Sequence, residues 1–145
     1  MAEHKFLIHS DGGSRGNPGP AAFGVVIEGD IEKKEYGEYI GKATNNVAEY
    51  SGVIFGLKKL KSLIGGEKAK KSMVQIHADS ELLVKQLNGK YKIKDDGIQK
   101  LFLEVWNLKL DFGEVTFRHI PREENHGADK LVNLTLDREA SKLAI

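Results

Sequence analysis

The chain has 145 residues, enough for one domain with a buried core. Its 22 lysines and arginines nearly cancel its 21 aspartates and glutamates, and the formal net charge of +1 excludes a partner held by bulk positive charge. With 40% hydrophobic residues, 30% charged residues and no cysteine, the composition excludes a disordered chain, a disulfide scaffold and any thiolate chemistry. The opening MAEHKFLIHSDGG lacks the cationic-then-apolar run of a secretory signal, and no apolar stretch approaches the roughly 20 residues of a membrane helix. A cytoplasmic domain with no membrane partner is the expectation.

In chain order, residues 4–10 (HKFLIHS) read as a short buried strand, stopped by a glycine-rich loop from Asp11 to Pro20. Residues 22–29 and 32–41 read as two further strands joined at Gly29-Asp30. From Asn45 the period changes: Tyr50, Val53, Ile54, Leu57, Leu60 and Ile64 recur at three- and four-residue spacing, predicting a long helix that ends at Gly65-Gly66. Residues 72–78 predict a fourth strand, Ser80 to Leu87 a short helix, and Asn88 to Gly97 a loop. Residues 98–110 predict another helix, 114–120 a fifth strand, and the segment from about Asn125 a last helix. The order β-β-β-α-β-α-α-β-α describes an α/β domain in which a hairpin feeds a mixed sheet. The segment GGEKAKKS at 65–72 is too short to divide the chain, so residues 1–145 are expected to form one domain.

Four acids stand where acids are expensive. Asp11 closes the first strand, Asp79 closes the fourth, Glu49 lies on the apolar stripe of the long helix, and Asp129 lies at the edge of the apolar face of the last. Singly, Asp79 could cap a helix, Asp129 could complement a helix dipole and Asp11 could serve a turn. Together they can converge at one sheet edge, where they would repel each other strongly. Two divalent cations would neutralise them, and an all-oxygen ligand set selects Mg²⁺ or Mn²⁺. Two such ions about 3.5–4 Å apart suit phosphodiester hydrolysis.

The stretches DGGSRGNPGPAAFGVVI (11–27), TNNVAEYSGVIFGL (44–57), HADSELLVKQLNGKYKIK (77–94) and HIPREENHGADKLVN (119–133) resemble the type 1 ribonucleases H, in order and over nearly the whole chain. The resemblance implies a ribonuclease H-like fold, a five-stranded mixed sheet flanked by helices. It implies that Asp11, Glu49, Asp79 and Asp129 are metal-binding catalytic carboxylates using two Mg²⁺ or Mn²⁺ ions. The implied reaction cuts the RNA strand of an RNA/DNA hybrid, leaving 5′-phosphate and 3′-hydroxyl ends.

Substrate contacts are expected from Gly12, Gly13, Ser14 and Asn17, because glycine backbone can approach a sugar-phosphate chain closely. Thr44, Asn45 and Asn46 precede the long helix as N-cap candidates, and the resemblance also makes them contacts to the DNA phosphate or to the bases near the scissile site, Asn46 foremost. The family's product-release histidine corresponds best to His119, ten residues before Asp129; His126, Arg122 and Glu124 are the other candidates. Where many members carry a lysine-rich protrusion, only NGKYKIKDDG stands, with Lys90, Lys92 and Lys94, so the chain resembles the short form. A monomer without a separate N-terminal hybrid-binding domain is expected. Two other readings remain: a catalytically silent binding module, which the four intact acids oppose, and a nuclease for double-stranded RNA or DNA junctions. Double-stranded RNA stays open as an additional substrate.

Overall fold

The computed structural model describes residues 3–143. β2 (Gly19–Gly29) runs antiparallel to both β1 (His4–Ser14) and β3 (Ile31–Ala43), and α1 (Asn45–Ile64) and a short α2 (Gly66–Lys70) follow. Next come β4 (Ser72–Ala78), α3 (Glu81–Leu87), α4 (Asp96–Lys109), β5 (Glu114–His119), a 3₁₀ turn (Arg122–Glu124) and α5 (His126–Leu143). The five strands lie in the order β3-β2-β1-β4-β5, with β4 parallel to both β1 and β5, so the sheet is mixed as expected. No helix among the described residues is long and apolar enough to cross a membrane.

Alternation along the strands divides the sheet into two unequal faces. Phe6 and Ile8, with Phe23, Val25, Ile27, Val74 and Ile76, face α1 and its buried Tyr50, Val53, Leu57 and Leu60. Each fully buried Leu or Ile contributes roughly 1.5–3 kcal/mol, against at most about 1 kcal/mol for an exposed ion pair. This face therefore holds the fold. The opposite face is thinner: α5 lays Val132 and Leu136 over Ala22.

Four expectations about element limits change. The glycine-rich segment is not a loop from Asp11 to Pro20: β1 continues to Ser14, and Asp11, Gly12, Gly13 and Ser14 pair with Gly24, Phe23, Ala22 and Ala21. Uninterrupted pairing with β2 keeps these residues extended, and only residues 15–18 turn. Asp11 consequently lies inside a strand rather than at its end. The segment 65–72 holds the extra turn α2, and α4 starts at Asp96 because the Asp95 carboxylate accepts from Ile98 N–H at 2.9 Å. The tail from Asp137 extends α5 as far as Leu143; residues 144 and 145 lie outside the described residues.

Two missing side chains set how closely the helices approach the sheet. A Cβ on Gly12 would collide with the backbone of Ala48 and Glu49, and one on Gly24 with the Ala128 carbonyl. Gly24 is the register partner of Asp11. Thus α1 crosses β1 beside Asp11 on one face, and α5 crosses β2 at Asp11's own level on the other. Gly12→Ala and Gly24→Ala are each expected to lower unfolding free energy by about 1–3 kcal/mol, read as a lower urea midpoint with an unchanged m-value.

Candidate active site

The register of the sheet brings the first two acids together. The parallel pairing of β1 with β4 ends at Ser10 and Ala78. The next residues along the chain are Asp11, still within β1, and Asp79, just past β4, so the two acids stand at one level where the pairing gives out. α1 brings Glu49, the residue after Ala48 at the Gly12 crossing, and α5 brings Asp129, the residue after Ala128 at the Gly24 crossing. Asp11, Glu49, Asp79 and Asp129 all line one open cleft of about 420 Å³, together with Gly12, Gly13, Ser14, Arg15, Asn45, Arg122, Val132, Asn133 and Leu136.

The alternative uses of these acids are partly taken by other groups. Ser80, not Asp79, caps α3, its hydroxyl accepting from Leu83 N–H at 3.2 Å. Asp79 is instead held by Asn125, which is 1% exposed and donates from Nδ2 to Asp79 Oδ2 at 3.3 Å and to the Ser10 carbonyl at 3.0 Å. Asn125 thus ties β1, Asp79 and the start of α5 into one unit. Asp129 does sit in the first turn of α5, where the helix dipole favours it. Its Oδ1 also lies 3.7 Å from the exposed guanidinium of Arg122.

Burial, with like charges crowded beside it, shifts the acidity of Asp11 and Glu49. Burial pushes Asp11 up to about 8, reinforced by the charges of Asp79, Asp129 and Glu49 and opposed by the Gly12 N–H at 2.9 Å. Burial likewise pushes Glu49 up to about 7, eased by the Ser80 hydroxyl and raised again by Asp79. Glu49 Oε2 is buried without a hydrogen-bond partner. Among the described residues no group of three or more acidic or histidine side chains is placed, as it stands, to hold a metal ion.

Other predicted residues fall inside or outside this cleft. Gly12, Gly13, Ser14 and Asn45 line it, whereas Asn17, Thr44, Asn46 and His119 do not. Several of them hold the cleft's wall in place: Asn45 Oδ1 accepts from Ser14 N–H at 2.8 Å, Asn17 Oδ1 accepts from Asn45 N–H at 3.0 Å, and Thr44 caps α1 through Val47 N–H at 3.2 Å. Asn46 Oδ1 is buried without a partner. His119 lies just behind the site, a ring nitrogen 3.2 Å from the Asp79 carbonyl. His126 and Glu124 do not line the cleft either, and Lys90, Lys92 and Lys94 are exposed on or beside the segment joining α3 to α4. Sequence reasoning missed Asn125, Arg15 and Asn133. Asn125 carried no periodic signal, because it sits between a 3₁₀ turn and a helix.

Comparison with known proteins follows the same line. A reverse transcriptase-like family model matches residues 9–135, and a ribonuclease H of Sulfurovum sp. is 31% identical over 144 residues, covering 99% of this chain and 98% of that protein. The chain belongs to the ribonuclease H-like family. The bifunctional protein Rv2228c of Mycobacterium tuberculosis is 38% identical over 143 residues, and the chain spans only 38% of that longer protein. The ribonuclease H domain of that protein superposes with a TM-score of 0.87, covering 97% of this chain and 99% of the domain at 37% identity. LC11-RNase H1, solved in complex with an RNA/DNA hybrid, superposes with a TM-score of 0.86 at 40% identity, covering 93% of this chain and 99% of that one. Within this ribonuclease H-like fold, the four acids come from β1, α1, the residue just after β4, and α5.

The raised carboxylates make metal-free stability depend on pH. Asp11 and Glu49 have ordinary values of 3.8 and 4.5 and keep their protons to about 8 and 7 in the folded state. Between those limits the folded chain binds more protons than the unfolded chain, so stability is greatest at the acid end and falls as pH rises. In the presence of a chelator the melting temperature is expected to fall between about pH 5 and pH 8. Asp11→Asn should flatten that decline and melt higher than wild type at the alkaline end.

Proposed function

We propose that this chain is a metal-dependent ribonuclease H that hydrolyses the RNA strand of RNA/DNA hybrids, leaving 5′-phosphate and 3′-hydroxyl ends. The observation that carries the reading is the convergence of Asp11, Glu49, Asp79 and Asp129 on one open cleft. The hybrid bound to the similar LC11 enzyme supports the choice of substrate.

The cleft suits Mg²⁺ or Mn²⁺, two per site. Its donors are oxygens, Glu49 Oε2 is buried and unpartnered, and Asp11 holds its proton to about 8 until positive charge is supplied. The four acids would hold the ions. When bound, paired divalent ions lower the pKa of an attacking water and stabilise the oxygen that leaves.

The chain's own groups do the rest. Asn125 fixes Asp79 against rotation, so that one of its oxygens keeps a constant direction toward the cleft. Ser14 and Asn45, tied to each other, give the cleft a rigid wall next to the Gly12-Gly13 backbone, where a sugar-phosphate chain can lie close. Recognition of a hybrid rests on 2′-hydroxyls displayed in a wide minor groove, which a polar, unobstructed wall can contact. Arg122, beside Asp129, places a permanent cation at the rim, where it can meet the phosphate freed by cleavage.

Purified protein is expected to cut the RNA of an end-labelled hybrid only when Mg²⁺ or Mn²⁺ is present, and to leave a DNA duplex of the same sequence intact. Double-stranded RNA of that sequence tests the additional substrate directly. Asp79→Asn should reduce cleavage to background while the circular dichroism spectrum and melting temperature stay close to wild type. Absence of hybrid cleavage by the wild type with either ion would overturn the assignment.

A further inference from the structure

The cleft does not end at the carboxylates. Asp129, Val132, Asn133 and Leu136 all line it, so it follows α5 for about two turns. Along this run Asn133 anchors itself on its own helix, donating from Nδ2 to the Asp129 carbonyl at 3.2 Å. At the far end stands Arg15, a lining residue on the turn between β1 and β2. Its guanidinium reaches Asp137 Oδ1 on α5 at 2.6 Å.

Arg15 is a poor candidate for a purely structural tie. The side chains of Arg15 and Asp137 are 44% and 64% exposed, and an ion pair this open contributes at most about 1 kcal/mol. Its backbone is already secured, because the Arg15 N–H donates to the Pro20 carbonyl at 2.8 Å. What the pair does accomplish is to hold a long, always-charged side chain in one direction at the mouth of a groove otherwise dominated by acids. Asp137 lies eight residues beyond Asp129, about 12 Å along the helix axis. That separation is of the order of a few nucleotides of backbone.

We infer that Arg15 is a substrate-binding residue: it contacts a backbone phosphate of the strand being cut, a short distance along that strand from the scissile bond. Asp137 is only the partner of the guanidinium in the free protein, and a phosphate displaces its carboxylate on binding. The inference rests on the proposed hydrolysis of RNA/DNA hybrids at this cleft. It adds a contact that lies outside the four acids and the Gly12-Gly13 backbone.

The test compares wild type, Arg15→Ala, Arg15→Lys and Asp137→Asn in steady-state cleavage of a hybrid and in hybrid binding across a salt series, the binding measured on the inactive Asp79→Asn background. Arg15→Ala is expected to raise KM about tenfold, the loss of one charge-assisted hydrogen-bonded contact, with kcat within about twofold of wild type. The slope of log K against log salt should shrink by about one. Arg15→Lys keeps the charge without the fork, so it should restore the slope but recover only part of KM. Asp137→Asn removes the ion pair and keeps the cation, and its KM should not rise. If Arg15→Ala and Asp137→Asn raise KM alike, the pair is a structural tie and the inference fails. An unchanged salt slope for Arg15→Ala in a protein that binds hybrid also overturns it. If the Asp79→Asn protein binds no hybrid and the wild type cuts none, the proposed function itself fails, a result distinct from either.

Discussion

Electrostatic repulsion among four carboxylates is the constraint around which this molecule is arranged. Asp11 is half-buried beside Asp79, Asp129 and Glu49, and its partial burial first, with their charges added, favours the protonated form up to about pH 8. Folding must bring these groups together against their own charge, and the compensating free energy comes from elsewhere. The apolar face shared by β1, β2, β4 and α1 supplies it: the buried Ile8, Val25, Ile76, Tyr50, Leu57 and Leu60 make the placement of Glu49 and Asp11 a consequence of hydrophobic packing. The thinner contact of α5, with Val132 and Leu136 over Ala22, does the same for Asp129.

Close approach matters as much as packing strength. Glycine at positions 12 and 24 lets α1 and α5 bring their backbones against the sheet from opposite faces, one on either side of Asp11. A helix held away by a single Cβ would carry its acid away as well. The glycine-rich stretch therefore has a different role from the one its composition first indicates. It is mostly paired strand, and its lack of side chains serves helix packing while leaving bare backbone on the cleft wall. The polar ties around it, Ser14 to Asn45 and Asn45 to Asn17, then make that wall stiff.

The secondary structure was largely legible because it follows periodicity. The line Glu49, Val53, Leu57, Leu60, Ile64 marks a helix, and the alternation of 72–78 marks a strand, whatever their neighbours do. Where pairing decided the outcome, the sequence misled: residues 11–14 look like loop because they are rich in glycine, and they are strand because β2 runs alongside them. The site was legible in part. An acid on an apolar stripe, like Glu49, is visible as an anomaly; a polar residue in an irregular segment, like Asn125, is not. Its importance lies in a buried hydrogen bond to Asp79 across 46 positions of sequence. The Arg15–Asp137 pair spans 122 positions and was invisible for the same reason.

A near-neutral total charge concealed an uneven distribution. The 21 acids include four gathered in one cleft, which leaves the rest of the surface more cationic than the sum of +1 indicates. By itself the sequence determined the order of the five strands and the four longer helices, apart from the extra turn α2, together with the apolar faces and the identity of the four unusual acids, since periodicity and the cost of a misplaced charge are local properties of the chain. Only the tertiary structure decided that Asp11 and Asp79 stand level where strand pairing stops, that Asn125 holds one of them, and that the groove continues along α5 to Arg15. Those facts depend on register and on helix-to-sheet distance, and both are set by contacts between residues that the chain order keeps far apart.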